Sequence, residues 1–137
     1  RKLRARDFVQ IDCGAKLDGY CADQSAVFFV GKPTKQQQEV YQAVQEAQQA
    51  VLEEVGVGVS TRHLDSVARS VLKHYQLNKY FVHSLGHGVG LDIHEGVTLS
   101  ERAPEQKLLK NEIITIEPGV YLPGEFGIRL EQEVVVH

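Results

Sequence analysis

The apolar and polar positions of this chain change period as it is read. Over Phe8-Val9-Gln10-Ile11-Asp12-Cys13 they alternate and then meet Gly14, a period of two that predicts a strand. Asp18-Gly19 is a hairpin turn signal. A second apolar stretch runs from Tyr20 to Val30 and stops at Gly31-Lys32-Pro33, so the first thirty residues read as a β-hairpin. Beyond them the period becomes helical. Val40, Tyr41, Val44, Ala47, Val51, Leu52 and Val55 fall on one face. Thr34 to Gln37 fits a capping box at its start, and Gly56 and Gly58 are expected to end it. Ser60 or Thr61 caps a second helix, with Leu64, Val67, Ala68, Val71, Leu72 and Tyr75 facing the core. Lys73 and His74 lie in its last turn, where the dipole favours positive charge.

The segment Tyr80 to His94 is too rich in glycine for a stable helix, and Glu95 to Lys110 reads as a loop. Glu112 to Leu122, a turn at Pro123-Gly124-Glu125, and Phe126 to Val136 read as a closing hairpin. Strands and helices are grouped, which points to α+β rather than a doubly wound parallel sheet. The 137 residues suit a single domain. The net charge of −3 offers no basic footprint for nucleic acid. No apolar run approaches the roughly 18 residues of a membrane span. Cys13 and Cys21 make no disulfide framework and read as reduced thiols of a cytoplasmic protein. With no Met in it, the chain reads as a fragment, a processed chain or part of a longer one.

Four acids stand where strands usually avoid them. Asp12 and Asp23 interrupt the first hairpin. A turn centred on Asp18-Gly19 pairs Asp12 with position 25; a bulge or another turn brings Asp23 level with it. Glu117 and Glu131 are equidistant from Gly124, so the second hairpin sets them face to face. Like charges so placed repel, and Arg129, two residues from Glu131 and on its side, cannot neutralise four carboxylates. One or two divalent metals could. An oxygen-rich site with one imidazole suits Mn, Co, Zn or Fe(II). The imidazole is found in Gly86-His87-Gly88-Val89-Gly90, where glycines permit close backbone approach. His83, His87 and His94 are three of the chain's six histidines. His63, His74 and His137 read as structural.

This ordered set resembles the pita-bread metallopeptidases, the family of methionine aminopeptidase, Xaa-Pro aminopeptidase and prolidase. The family's metal set runs Asp, a second Asp eleven residues on, His in a Gly-His-Gly motif, Glu before Pro-Gly, and a late Glu. Asp12, Asp23, His87, Glu117 in Glu117-Pro118-Gly119, and Glu131 in Gly127-Ile128-Arg129-Leu130-Glu131 match it in order. Gly90-Leu91-Asp92-Ile93-His94-Glu95 looks like the proline-specific branch. The resemblance implies the C-terminal portion of a pita-bread catalytic domain. It implies two divalent ions, Mn first among them, bridged by Asp23 and Glu131. Asp12 would hold one ion, with His87 and Glu117 on the other. A metal-bridging hydroxide would attack the bond between an N-terminal residue and proline, with Glu117 moving protons. Arg129 would orient Asp12, His94 would bind the substrate carbonyl and His83 would line the proline pocket.

The resemblance also implies partners: a peptide with proline at its second position, a preceding polypeptide or partner chain that completes the domain, and a second copy in a homodimer. Two departures concern the residues. Gln24-Ser25-Ala26-Val27 replaces a Thr-Arg-Thr run, so a contact made by that Arg is lost or replaced. Val97 stands where relatives often carry Pro. A non-catalytic module of the same fold that binds peptides or proteins would be expected to have lost ligands, and a creatinase-like hydrolase uses the fold without metals; this chain keeps all five ligand positions.

Overall fold

The computed structural model describes residues 2–137. Strands β1 (Phe8–Leu17) and β2 (Tyr20–Phe29) form the first hairpin. Asp18 and Gly19 both have positive φ, 50° and 92°, the backbone of a two-residue turn whose twist matches its strands. The register pairs Asp12 with Ser25 and Gly14 with Asp23. No bulge brings the two aspartates level. They are diagonal neighbours on one face of the hairpin. At its base, Phe8 packs edge-on against Phe126 and Phe29 against Tyr41, each at 5.6 Å between ring centroids.

Helix α1 (Lys35–Leu52) starts from a complete Thr34–Gln37 capping box. Such a cap stabilises a helix by about 1 kcal/mol. The helix closes at Glu53, before the glycines expected to end it, where the Glu54 N–H tightens the last turn by bonding the Val51 carbonyl three residues back. Helix α2 (Thr61–His74) is capped by Ser60, whose hydroxyl accepts from the His63 N–H. The two helices pack against each other. Val44, Val51, Leu64 and Leu72 are fully buried beside Leu85, Leu99, Leu108, Ile114, Ile116 and Ile128 of the strand half. No helix among the described residues is long and apolar enough to cross a membrane.

A short 3₁₀ turn at Asn78–Tyr80 leads into β3 (Gly86–Gly88). Next comes β4 (Glu95–Leu99), within the span read from sequence as a loop. Val97 and Leu99 are buried and alternate with exposed Gly96 and Thr98; one glycine and a polar tail mask so short a strand. Then follow β5 (Ile113–Ile116), β6 (Gly119–Leu122), β7 (Phe126–Arg129) and β8 (Gln132–Val135). A four-stranded sheet runs β4-β3-β5-β8, and β6 pairs with β7. The β5–β8 and β6–β7 pairs share one register about Gly124, so they are a single long hairpin opened in the middle. The opening falls at Glu117 and Glu131. Their backbone N–H groups leave the hairpin, for the Leu85 and Ser25 carbonyls respectively. There the four-stranded sheet, the first hairpin and the β6–β7 ribbon converge.

Candidate metal centre

That convergence is lined by Asp12, Asp23, His87, His94, Glu117, Arg129 and Glu131 around a cavity of about 360 Å³. Each side chain has a local reason to be there. Strand alternation turns Asp12, Asp23 and Ser25 to one face of the first hairpin. The opened hairpin brings Glu117 and Glu131. His87 comes from β3, which lies so close to β5 that a Cβ on Gly86 would collide with the Thr115 carbonyl. Only glycine permits that approach, and it sets the buried His87 beside Glu117.

The imidazole of His87 carries the decisive geometry. Its Nδ1 lies 3.0 Å from the Gly88 carbonyl oxygen. A carbonyl can only accept, so the proton of the neutral ring is assigned to Nδ1 and Nε2 presents a lone pair. That lone pair faces Glu117 Oε1 at 3.4 Å and Asp23 Oδ2 at 3.7 Å. Acceptors pointing at acceptors need a proton or a cation between them. Asp23, His87 and Glu131 each bring one donor atom within 4.8 Å of the others. Burial, and after it the charge of Glu131, pushes the Glu117 carboxyl up to about 7, and burial raises Glu131 as well. Asp23, Glu117 and Glu131 around the imidazole of His87 are an oxygen-rich donor set that fits a divalent cation, and Asp12 lines the same cavity while paired to Arg129.

Arg129 is the one guanidinium lining this cavity. It pairs with Asp12, which is the most exposed of the acids, and donates from Nε to Ser25 Oγ at 3.2 Å. Ser25 in turn donates to Glu131 Oε2 at 2.8 Å. Thr115 receives the His87 N–H at 3.1 Å and donates to Glu117 at 3.3 Å. Glu133 accepts the Asp23 N–H at 2.8 Å. These three supporting residues escaped the reading of the sequence. Ser25 could have been found there, since it is the partner of Asp12 under the simple turn.

His94 is exposed, and its ring lies 4.1 Å from that of His87, tilted by 60°. His83 lies to one side, in an adjoining cavity of about 450 Å³ shared with Thr98, His94, Glu117 and Arg129. Its Nε2 is 2.9 Å from the Tyr121 hydroxyl, another partner not anticipated. The tip of the first hairpin grips the loop before His94: Lys16 Nζ donates to the Leu91 carbonyl and the Cys21 N–H to Gly90, both at 2.7 Å. Cys13 and Cys21 are free thiols.

The model of metallopeptidase family M24 matches residues 1–137, and the chain belongs to that family. It is 41% identical over 136 residues to the Xaa-Pro dipeptidase of Pyrococcus furiosus, covering 99% of this chain and 39% of that protein. A prolidase from Thermococcus sibiricus superimposes with a TM-score of 0.96 at 39% identity, over 100% of this chain and 37% of the other. An X-Pro aminopeptidase from Thermotoga maritima does so with a TM-score of 0.93 at 42% identity, over 98% and 38%. The fold is thus the α+β fold of prolidase pita-bread domains. The chain spans about two fifths of these relatives' length, and the matched stretch is their C-terminal portion.

Proposed function

We propose that this chain carries the metal-binding half of a proline-specific peptidase that hydrolyses the bond between an N-terminal residue and a following proline. The observation that carries the reading is the lone pair of His87 Nε2 directed at the oxygens of Asp23 and Glu117. Asp12, Asp23, His87, Glu117 and Glu131 would hold two divalent ions, with Mn the first candidate and Co, Zn and Fe(II) the others. Bound there, the ions would supply a water acidified enough to lose its proton near neutral pH and positive charge toward a carbonyl oxygen.

The chain's own residues do the remaining work. Glu117, with its carboxyl near 7, is suited to take a proton and return it to the departing proline nitrogen. Arg129 holds Asp12 in orientation and, through Ser25, steadies Glu131. His94, exposed at the mouth, offers an imidazole to the scissile carbonyl as charge develops. His83 and its cavity border the place for the proline ring. A tertiary amide has no N–H, so a site for the proline ring cannot require one.

The partner is a preceding polypeptide, continuous or separate. The outer face of the first hairpin supports this: Ile11, Leu17, Tyr20 and Phe28 are 45%, 75%, 64% and 56% exposed, an apolar surface that calls for cover. The whole protein is proposed to be a homodimer.

Elemental analysis after chelation and refilling with Mn(II) tests the reading. About two ions per chain is expected, with Xaa-Pro hydrolysis once the preceding polypeptide completes the site. A folded sample that takes up none overturns it in favour of a peptide-binding module.

A further inference from the structure

Outside the acid cavity, helix α2 carries an ion pair with a buried carboxylate and a part-buried guanidinium that its packing does not require. Leu64, Ala68 and Leu72 already bury the apolar face of α2 completely. Asp65 is nonetheless fully buried. Its Oδ2 accepts from Arg69 Nε at 2.9 Å and from the Glu101 N–H at 2.8 Å, while Oδ1 has no hydrogen-bond partner. Burying a carboxylate this way costs more than surface pairing returns, so the pair is expected to hold something in place.

The free arms of the guanidinium show what it holds. Nη1 donates to the Phe81 carbonyl at 3.0 Å and Nη2 to the His83 carbonyl at 2.9 Å. The guanidinium also lies 4.4 Å over the Phe81 ring, and that ring meets His83 edge-on at 5.1 Å. Fork, stack and ion pair together clamp the turn from Phe81 to His83. A lysine could make one of these contacts at a time but not the fork.

Beyond the clamp, His83 Nδ1 lies 2.7 Å from the Ser84 carbonyl oxygen. The same acceptor argument assigns its proton to Nδ1. Nε2 is then the acceptor for the Tyr121 hydroxyl, whose oxygen receives Arg129 Nη1 at 3.3 Å. We infer that Arg69, anchored by Asp65, is a positioning residue for His83: by gripping the Phe81 and His83 carbonyls it commits Nδ1–H to Ser84 and turns Nε2 toward Tyr121. Burial lowers the pKa of this imidazole, which keeps the ring neutral and the assignment stable. The inference deepens the proposed function, since its catalytic meaning rests on His83 bordering the proline site.

The test is ring ¹⁵N NMR of the zinc-loaded protein at pH 8, on wild type, R69Q and R69K. Wild type is expected to show His83 as a single Nδ1–H tautomer, with widely separated ring nitrogen shifts. R69Q should average the two shifts, and R69K should fall between, all three keeping the same zinc content. Wild-type shifts in folded R69Q overturn the inference. Should the variants not fold, wild type alone decides: slowly exchanging Arg69 Nη protons are expected, and a freely rotating guanidinium overturns the clamp. Kinetics separate the two claims. A rise in KM of about fivefold in R69Q with a smaller change in kcat supports both. A disturbed tautomer with unchanged kinetics supports the clamp and removes His83 from the substrate site.

Discussion

Glu117 and Glu131 stand at opposed positions of one hairpin, yet the hairpin is open between them. Each backbone N–H bonds a different neighbour, Leu85 for one and Ser25 for the other. The repulsion expected of a facing acid pair is thus met in two ways. The strands part, and both carboxyls are displaced toward the protonated form.

That displacement makes the metal-free fold sensitive to pH. Glu117 titrates near 7 when folded against an ordinary 4.5, so between these values the folded state holds a proton that the unfolded chain has lost. Its contribution is present below about pH 4.5 and disappears as pH rises through 7. Burial lowers His83, which acts in the opposite sense below its ordinary 6.5, so the comparison is wild type against E117Q. Urea unfolding should show metal-free E117Q gaining roughly 1–3 kcal/mol on wild type from pH 4.5 to pH 7. A constant difference would contradict the assignment.

With metal present the same substitution should be damaging. E117Q is expected to bind metal more weakly and to lose about 10²–10⁴ in turnover. H94A should keep about two ions per chain and still lose about 10² in rate. Elemental analysis beside a Xaa-Pro assay separates them. An emptied site in H94A would move His94 from substrate to metal.

Ser25 joins Arg129 to Glu131 from a buried position. S25A should cost about 1–3 kcal/mol in urea unfolding, because it removes hydrogen bonds to two charged groups. S25T, which keeps the hydroxyl, should cost less. Equal losses would mean that volume, not the bridge, matters here.

Gly86 sets the distance between β3 and β5. In G86A the new methyl meets the Thr115 carbonyl, and the strands must separate at a cost of about 3 kcal/mol. Metal uptake should fall with stability, because His87 moves with its strand. Circular dichroism and elemental analysis report the two effects, and full metal binding in G86A would show that the spacing is not needed.

Much of this centre was legible before any coordinates. Its acids interrupt otherwise apolar strands, its imidazole is bracketed by glycines, and Gly124 is the midpoint between Glu117 and Glu131. These are local or symmetric signals. The capping box and the Ser60 cap were legible for the same reason. Contacts that join distant strands were not. Thr115 looks like any strand threonine, Tyr121 like an amphipathic surface residue, and Asp65-x-x-x-Arg69 like an ordinary helical ion pair. Only the approach of β3 to β5, and of α2 to the turn at Phe81–His83, gives them partners. Strand β4 escaped because alternation over five residues, one of them glycine, is too weak to stand out. The simple turn pairing Asp12 with Ser25 was one of two options open in the sequence, and positive φ at Asp18 and Gly19 selects it.

The two faces of the first hairpin are opposites: one bears Asp12, Asp23 and Ser25, the other Ile11, Leu17, Tyr20 and Phe28. A slip of the strands by a single residue would exchange the faces of one strand relative to the other. It would swing an aspartate outward and push an isoleucine or phenylalanine among the remaining acids. The tight turn at Asp18-Gly19 is what forbids the slip. Although it touches none of the candidate donors, it therefore helps decide what the cavity holds: a slip at the hairpin tip would trade one carboxylate for an apolar side chain without changing the identity of any lining residue.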